Sequence, residues 1–370
     1  MRRVVVVLPR AVSPIGNGFI LNANCPRLQQ LASRAELVKL SPIARAPTPE
    51  AAFFGLDPHE ARIAPGPLAV AGLGLDPPDS SLQFHLSLLT TDGVDAETPP
   101  AGPTEEELQT LFEHVRRLET PNLIPAKGMG LDHALIALDG SPEVITAPPQ
   151  ALRPYRAHLP VGDDEARLRR FIDDSVNLLT PLEFNVRRID EGLVPLNLLW
   201  PWGPGFRVRL PHLGLAQGAP TTVMSGSLRC AGIARLVGYR HLPVELVGEG
   251  INVPFEALAE RIGHEPRSLL ILRQPGHLHR EGRSAEATWL MEELDRRLIG
   301  PVLDRLDDEK LELTVVAPTF EPDDHPGLAM TWTEPGLLPH HIPFDERAVE
   351  EHLPMRSAWS PVERALEADV

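Results

Sequence analysis

Three runs of the chain are apolar with almost no polar alternation: Val4-Val5-Val6-Val7-Leu8, Leu269-Leu270-Ile271-Leu272 and Leu313-Thr314-Val315-Val316-Ala317. Strands buried on both faces read this way, because a parallel sheet is covered by helices on either side. Further strand-like runs at 196–199, 221–224 and 244–247 alternate with helical patterns after Pro195. The clearest of these helices spans about residues 285–306, with Leu290, Leu294, Leu298, Val302 and Leu306 on one stripe. Strand–helix alternation with buried strands predicts an α/β fold, a doubly wound and mostly parallel sheet with right-handed crossovers.

The middle of the chain has a different texture. Leu82-Gln83-Phe84-His85-Leu86-Ser87-Leu88 and His133 to Leu138 alternate apolar and polar positions, as half-buried antiparallel strands do. Thr104 with Glu107 forms a helix-opening capping signal ahead of Leu108, Leu111, Phe112 and Val115. Another helix is predicted over 163–179. Residues 61–190 therefore read as an α+β domain inserted into a core made of 1–60 and 191–342, followed by a tail, 343–370, packed on that core. Short helices are predicted after Pro26 and at 50–54, the latter stopped by Gly55.

Composition narrows the function classes. A net charge of −16 argues against nucleic acid or an anionic membrane as a partner. The group Arg167-Leu168-Arg169-Arg170 reads as a solvated helix face among acids. The two cysteines, Cys25 and Cys230, lie far apart and suggest neither a disulfide framework nor a zinc site, which fits a reducing cytoplasm. The apolar run before Pro9 is five residues long, too short for a signal peptide or membrane span. Forty prolines cluster in loops and predict rigid connections.

Several stretches, in order over most of residues 1–330, resemble the archaeal-type cofactor-independent phosphoglycerate mutases of the alkaline phosphatase superfamily. They are Cys25-Pro26-Arg27-Leu28, Ala52-Phe53-Phe54-Gly55-Leu56-Asp57-Pro58, Gly66-Pro67-Leu68-Ala69, Asn185 to Arg188, Pro195 to Gly205, and Met224-Ser225-Gly226 through Gly232 to Gly238. The resemblance implies an alkaline phosphatase-like core with an inserted α+β domain. It also implies two divalent cations and a hydroxyl nucleophile that carries the phosphoryl group between glycerate oxygens.

Carried over residue by residue, that machinery is mostly missing. The family's first-strand Asp-Gly falls at Leu8-Pro9, and its nucleophile loop at Ala46-Pro47, with Thr48 the nearest hydroxyl. Its Asp-Glu-Ala-Gly-His falls at Arg273-Gln274-Pro275-Gly276-His277, and its Asp-His at Pro318-Thr319. The expectation is a divergent, degenerate homologue that has lost metal-dependent phosphotransfer. It would be retained as a binding or regulatory protein, with a small anionic ligand or a protein partner and no cofactor. The alternative is an active mutase or phosphohydrolase using Mn or Mg, with Thr48 attacking and His277, His279 and His325 as displaced ligands near Asp323 and Asp324. A third reading is a structural subunit. Asn185, Arg188, Asn197 and Trp202 stand as candidate ligand-binding residues. Each has a plainer reading: a loop hydroxyl for Thr48, polar turns for the histidines, a turn cap for Asn197, and packing for Trp202.

Overall fold

A computed structural model describes residues 2–12, 18–150, 152–213, 221–242, 251–304, 311–323, 325–333 and 340–366. The expected strand at 244–247, and Leu306 and Asp324, lie outside them. The strands among the described residues are β1 (Arg2–Val7), β2 (Glu36–Leu40), β3 (Leu82–Thr91), β4 (Ala96–Glu97), β5 (Leu123–Met129), β6 (Asp132–Ala137), β7 (Leu198–Gly205), β8 (Thr221–Ser225), β9 (Arg240–His241), β10 (Arg267–Ile271), β11 (Leu311–Ala317), β12 (Gly327–Thr333) and β13 (Met355–Arg356). The chain divides into two compact units: Met1–Arg62 with Leu210–Gly226 and Ala234–Val370, and Ile63–Arg209 with Ser227–Ile233.

The first unit is built on an eight-stranded sheet in the order β13-β2-β12-β11-β1-β10-β8-β9. β1 lies between β10 and β11, parallel to both, and β8 and β9 continue the parallel set. β12 is antiparallel to its neighbours β11 and β2. The three apolar runs are thus adjacent central strands, as their lack of alternation predicts. Val5, Val6, Leu269, Leu270, Leu313 and Val315 are all buried. The helical stripe is present but broken: an α-helix at Ser284–Leu294 passes through a π-helical turn at Asp295–Ile299 into a short helix at Gly300–Asp304. Leu290, Leu294, Leu298 and Val302 all enter the unit's main core. Asp295 begins the π-helical turn, and its buried carboxylate accepts the amides of Arg27 and Leu28 at 3.1 and 2.7 Å. Those amides open the Pro26–Ala32 helix and have no acceptor within it. The tail is anchored similarly: Glu346 accepts the amides of Ile20 and Leu21, and β13 extends the sheet beside β2.

The second unit is built on a five-stranded antiparallel sheet, with β3 paired to β4, β6 and β7, and β5 to β6. One face of β3, carrying Leu82, Phe84, Leu86 and Leu88, packs with residues of the helices Glu105–Val115, Glu165–Leu179 and Glu183–Asp190. The Pro65–Gly72 helix supplies a second layer, where Ala69 and Val70 pack with Ala134, Ile136 and Leu228. Gly66 makes that approach possible, because a Cβ there would collide with the Gln83 carbonyl. Two expectations are corrected here. β3 is buried at every position, not half-buried, so its alternating polar residues Gln83, His85 and Ser87 are inside. Leu198 and Leu199, expected in the parallel core, instead form β7 against β3, since an apolar run does not reveal which sheet covers it.

The capping box at Thr104 and Glu107 forms as its spacing predicts. Arg167, Arg169 and Arg170 lie along a helix face paired with Asp139, Glu165 and Asp174. Among the described residues, no helix is long and apolar enough to cross a membrane.

Candidate functional site

The loops that follow β1, β10 and β11 lie at the carboxyl ends of adjacent parallel strands, where open α/β sheets place ligands. Leu8 donates its amide to Val316 O at 2.7 Å and Arg10 donates to Pro318 O at 2.8 Å, tying the first loop to the third. Leu272 donates to Val7 O at 2.9 Å, which ties in the second. Arg10 adopts a left-handed backbone, φ +59°, uncommon for a non-glycine residue. Its guanidinium lies 4.5 Å from the Phe320 ring centroid and donates to Asp323 Oδ2 at 2.6 Å.

The second loop turns at once into a helix, Gln274–Arg280, with Pro275 in its first turn. Gly276 sets the approach, because a Cβ there would meet the Pro9 carbonyl and the Arg10 backbone. His277 and His279, read from the sequence as displaced ligands or polar turns, thus stand on a helix. On a helix, residues two apart face away from each other. His277 pairs with Glu281 at 3.0 Å, while His279 Nδ1 lies 2.9 Å from Ser284 Oγ and its ring is 5.0 Å from Phe19. Burial pushes both imidazoles below their ordinary pKa; for His277 the Glu281 carboxylate acts in the opposite sense. In the third loop, His325 offers its carbonyl to Thr319 Oγ1 at 2.9 Å and its Nδ1 lies 3.4 Å from Pro326 O. The three histidines are therefore not brought to one point. Thr48 is fully buried at the N-terminus of the Pro49–Phe54 3-10 helix, so its hydroxyl is not presented at the surface.

The four ligand-binding candidates all lie in the second unit, with their polar atoms engaged by the fold. Asn185 donates to Leu179 O and Leu196 O at 2.8 and 3.0 Å and accepts the Leu196 amide at 2.7 Å. Asn197 accepts the Thr91 amide at 2.9 Å and donates to Thr91 O and Thr180 Oγ1. Arg188 donates to three backbone carbonyls, of Val194, Gly102 and Ala101, and to Glu107. Trp202 donates to Ser87 Oγ at 2.9 Å and stacks obliquely on His85, whose Nε2 is 2.8 Å from Asp132 Oδ1.

The residues at the three loops do not fit a bimetallic centre. Divalent cations take carboxylate oxygens or imidazole nitrogens, yet where β1, β10 and β11 end, the chain carries Leu8-Pro9, Arg273-Gln274-Pro275 and Pro318. Arg273 and Arg280, exposed and without an ion-pair partner among the described residues, would repel a cation there. Among the described residues no three His, Cys, Asp or Glu side chains come together as a metal site. Arg280 belongs to this rim and went unnoticed in sequence; its signal is the seven-residue step from Arg273, two helical turns on one face.

The mostly parallel α/β core beside a separate antiparallel sheet is an alkaline phosphatase-like fold. Relatives of the chain are 2,3-bisphosphoglycerate-independent phosphoglycerate mutases. One from Methanosarcina mazei is 23% identical and covers 82% of this chain and 81% of its own. One from Ignicoccus hospitalis is 27% identical over 68% of this chain and 66% of its own. A probable mutase of the same kind from Geobacter sulfurreducens is 24% identical over 76% and 75%. A solved structure from Pyrococcus horikoshii superposes with a TM-score of 0.72 at 19% identity, covering 100% of this chain and 99% of that one. The cofactor-independent phosphoglycerate mutase of Thermoplasma acidophilum gives 0.57 at 18%, over 99% of both chains. No family model matches the chain. The chain is thus a homologue of archaeal-type cofactor-independent phosphoglycerate mutases, at about 23% identity over most of its length.

Proposed function

We propose that this phosphoglycerate mutase-like protein has lost metal-dependent phosphotransfer and acts in the cytoplasm as a binding or regulatory protein. The observation that supports this reading is a sheet rim built of arginine and proline, Pro9-Arg10, Arg273, Pro275 and Pro318, where the resemblance implies acidic cation ligands. A phosphoserine-type mechanism needs a metal-activated hydroxyl beside those cations, and Thr48 is buried.

The test is a mutase assay on purified protein with 3-phosphoglycerate and excess Mn²⁺ or Mg²⁺, together with a calorimetric titration of Mn²⁺. The reading predicts no conversion to 2-phosphoglycerate and no stoichiometric Mn²⁺ binding. Conversion that requires the metal would overturn it.

A further inference from the structure

Three guanidinium groups gather on this one rim with too little acid to balance them. Arg10 is neutralised by Asp323. Arg273 and Arg280 have no ion-pair partner among the described residues, and both are exposed. The acids nearby are otherwise engaged: Glu281 with His277 and Arg283, and Glu286 with Arg283. On the Gln274–Arg280 helix, Arg273, His277 and Arg280 share the exposed face, opposite the buried Pro275 and Leu278. Gly276 holds that helix against the Pro9–Arg10 backbone, which brings the third arginine to its side. Partial burial first, and then the charges of Arg10 and Arg273, depress the pKa of Arg280, with Asp323 and Glu281 acting in the opposite sense. In a protein of net charge −16, the rim is a local reversal of sign that would concentrate small anions.

We propose that Arg10, Arg273 and Arg280 form a binding site for a phosphoryl dianion, free or carried on a small molecule, at the rim where the homologous mutases are expected to hold cations. The two uncompensated guanidinium groups match the two charges of a phosphoryl group. Their planar forks match its oxygens, whereas a lone carboxylate would satisfy only one fork. A nucleic acid is a poor occupant, because the rest of the surface repels a polyanion. The inference rests on the reading above in one respect only: the rim must not be filled by metal.

Isothermal titration at fixed ionic strength with inorganic phosphate, 3-phosphoglycerate and glycerate tests it. Phosphate and 3-phosphoglycerate should bind and glycerate should not. Tighter binding of 3-phosphoglycerate would identify a carried phosphoryl group, and equal binding a free one. Absence of binding by both phosphate compounds overturns the site. Arg273→Gln and Arg280→Gln should each weaken phosphate about tenfold, the usual scale of a lost charge-assisted contact; unchanged affinity would also overturn it. Should either variant fold poorly, wild-type protein answers the same question. Phosphate should slow phenylglyoxal modification of Arg273 and Arg280 but not of exposed Arg187, and equal rates with and without phosphate contradict the proposal. Failure of phosphate binding leaves the loss of phosphotransfer intact, whereas metal-dependent turnover refutes that loss whatever phosphate does.

Discussion

Glu107 and Arg188 are joined inside the second unit, Glu107 Oε2 accepting from Arg188 Nη1 at 3.2 Å while it also accepts the Thr104 amide at 2.8 Å. Only 3% of the Arg188 side chain and 9% of the Glu107 side chain are exposed, so neither charge has water to fall back on. One carboxylate thus caps a helix and neutralises the guanidinium that binds the 101–102 turn and Val194.

Arg188→Met should therefore act on stability. Removing one partner of a buried pair strands the other, at about 3–5 kcal/mol. Urea denaturation should show that loss, and adding Glu107→Gln should recover part of it. A loss of ligand affinity at unchanged stability would instead mark Arg188 as a binding residue.

Asn185 makes the same point through uncharged groups. Asn185→Ala leaves the Leu196 amide and the carbonyls of Leu179 and Leu196 without the partners it supplies. The expected cost is about 3 kcal/mol, since each buried polar group left unpaired costs roughly 1–3 kcal/mol. Asn185→Asp should also destabilise, because a carboxylate would face two carbonyl oxygens. The midpoint of chemical denaturation reads both.

These two residues show what the sequence could and could not reveal. Apolar runs without alternation identified β1, β10 and β11 as buried neighbours, because burial on both faces leaves no polar period. The capping box at Thr104 was legible because its two hydrogen bonds are local. β7 was not, since antiparallel pairing with β3 is set by residues over a hundred positions away. Nor was the partnering of Asn185, Arg188 and Asn197, whose polar side chains suggest ligands until the backbone groups they meet are placed. The histidines at 277 and 279 read as polar turns, and the seven-residue helix that carries them is too short to show a periodic stripe, although Pro275 is a helix-start signal. The rim arginines stood in plain view singly; their convergence depends on the sheet order.

Gly276→Ala tests how that convergence is built. The new methyl would press on the Pro9 carbonyl and the Arg10 backbone, and overpacking of this kind costs about 1–3 kcal/mol. A lower melting temperature is expected, with weaker phosphate binding in calorimetry than the stability loss alone explains. A variant of unchanged melting temperature would contradict the close approach.

His133 should make stability depend on pH. It is fully buried beside Phe112, accepts the Gly128 amide on Nδ1, and burial holds its pKa down to about 3. Below an unfolded pKa of about 6.5 the unfolded chain takes up a proton that the folded one refuses. Stability present above that pH is lost as pH falls, by up to about 2 kcal/mol between pH 6.5 and 5. Comparing denaturation curves of wild type and His133→Gln over this range isolates the effect; identical pH slopes would contradict it.

The most direct measurement is the interconversion of 3-phosphoglycerate and 2-phosphoglycerate by purified protein saturated with Mn²⁺, run beside Thr48→Ala. Arginine where cations would sit and a buried Thr48 predict the same background rate for both proteins. Turnover that needs Mn²⁺ and disappears with the Thr48 hydroxyl would contradict the account at its root.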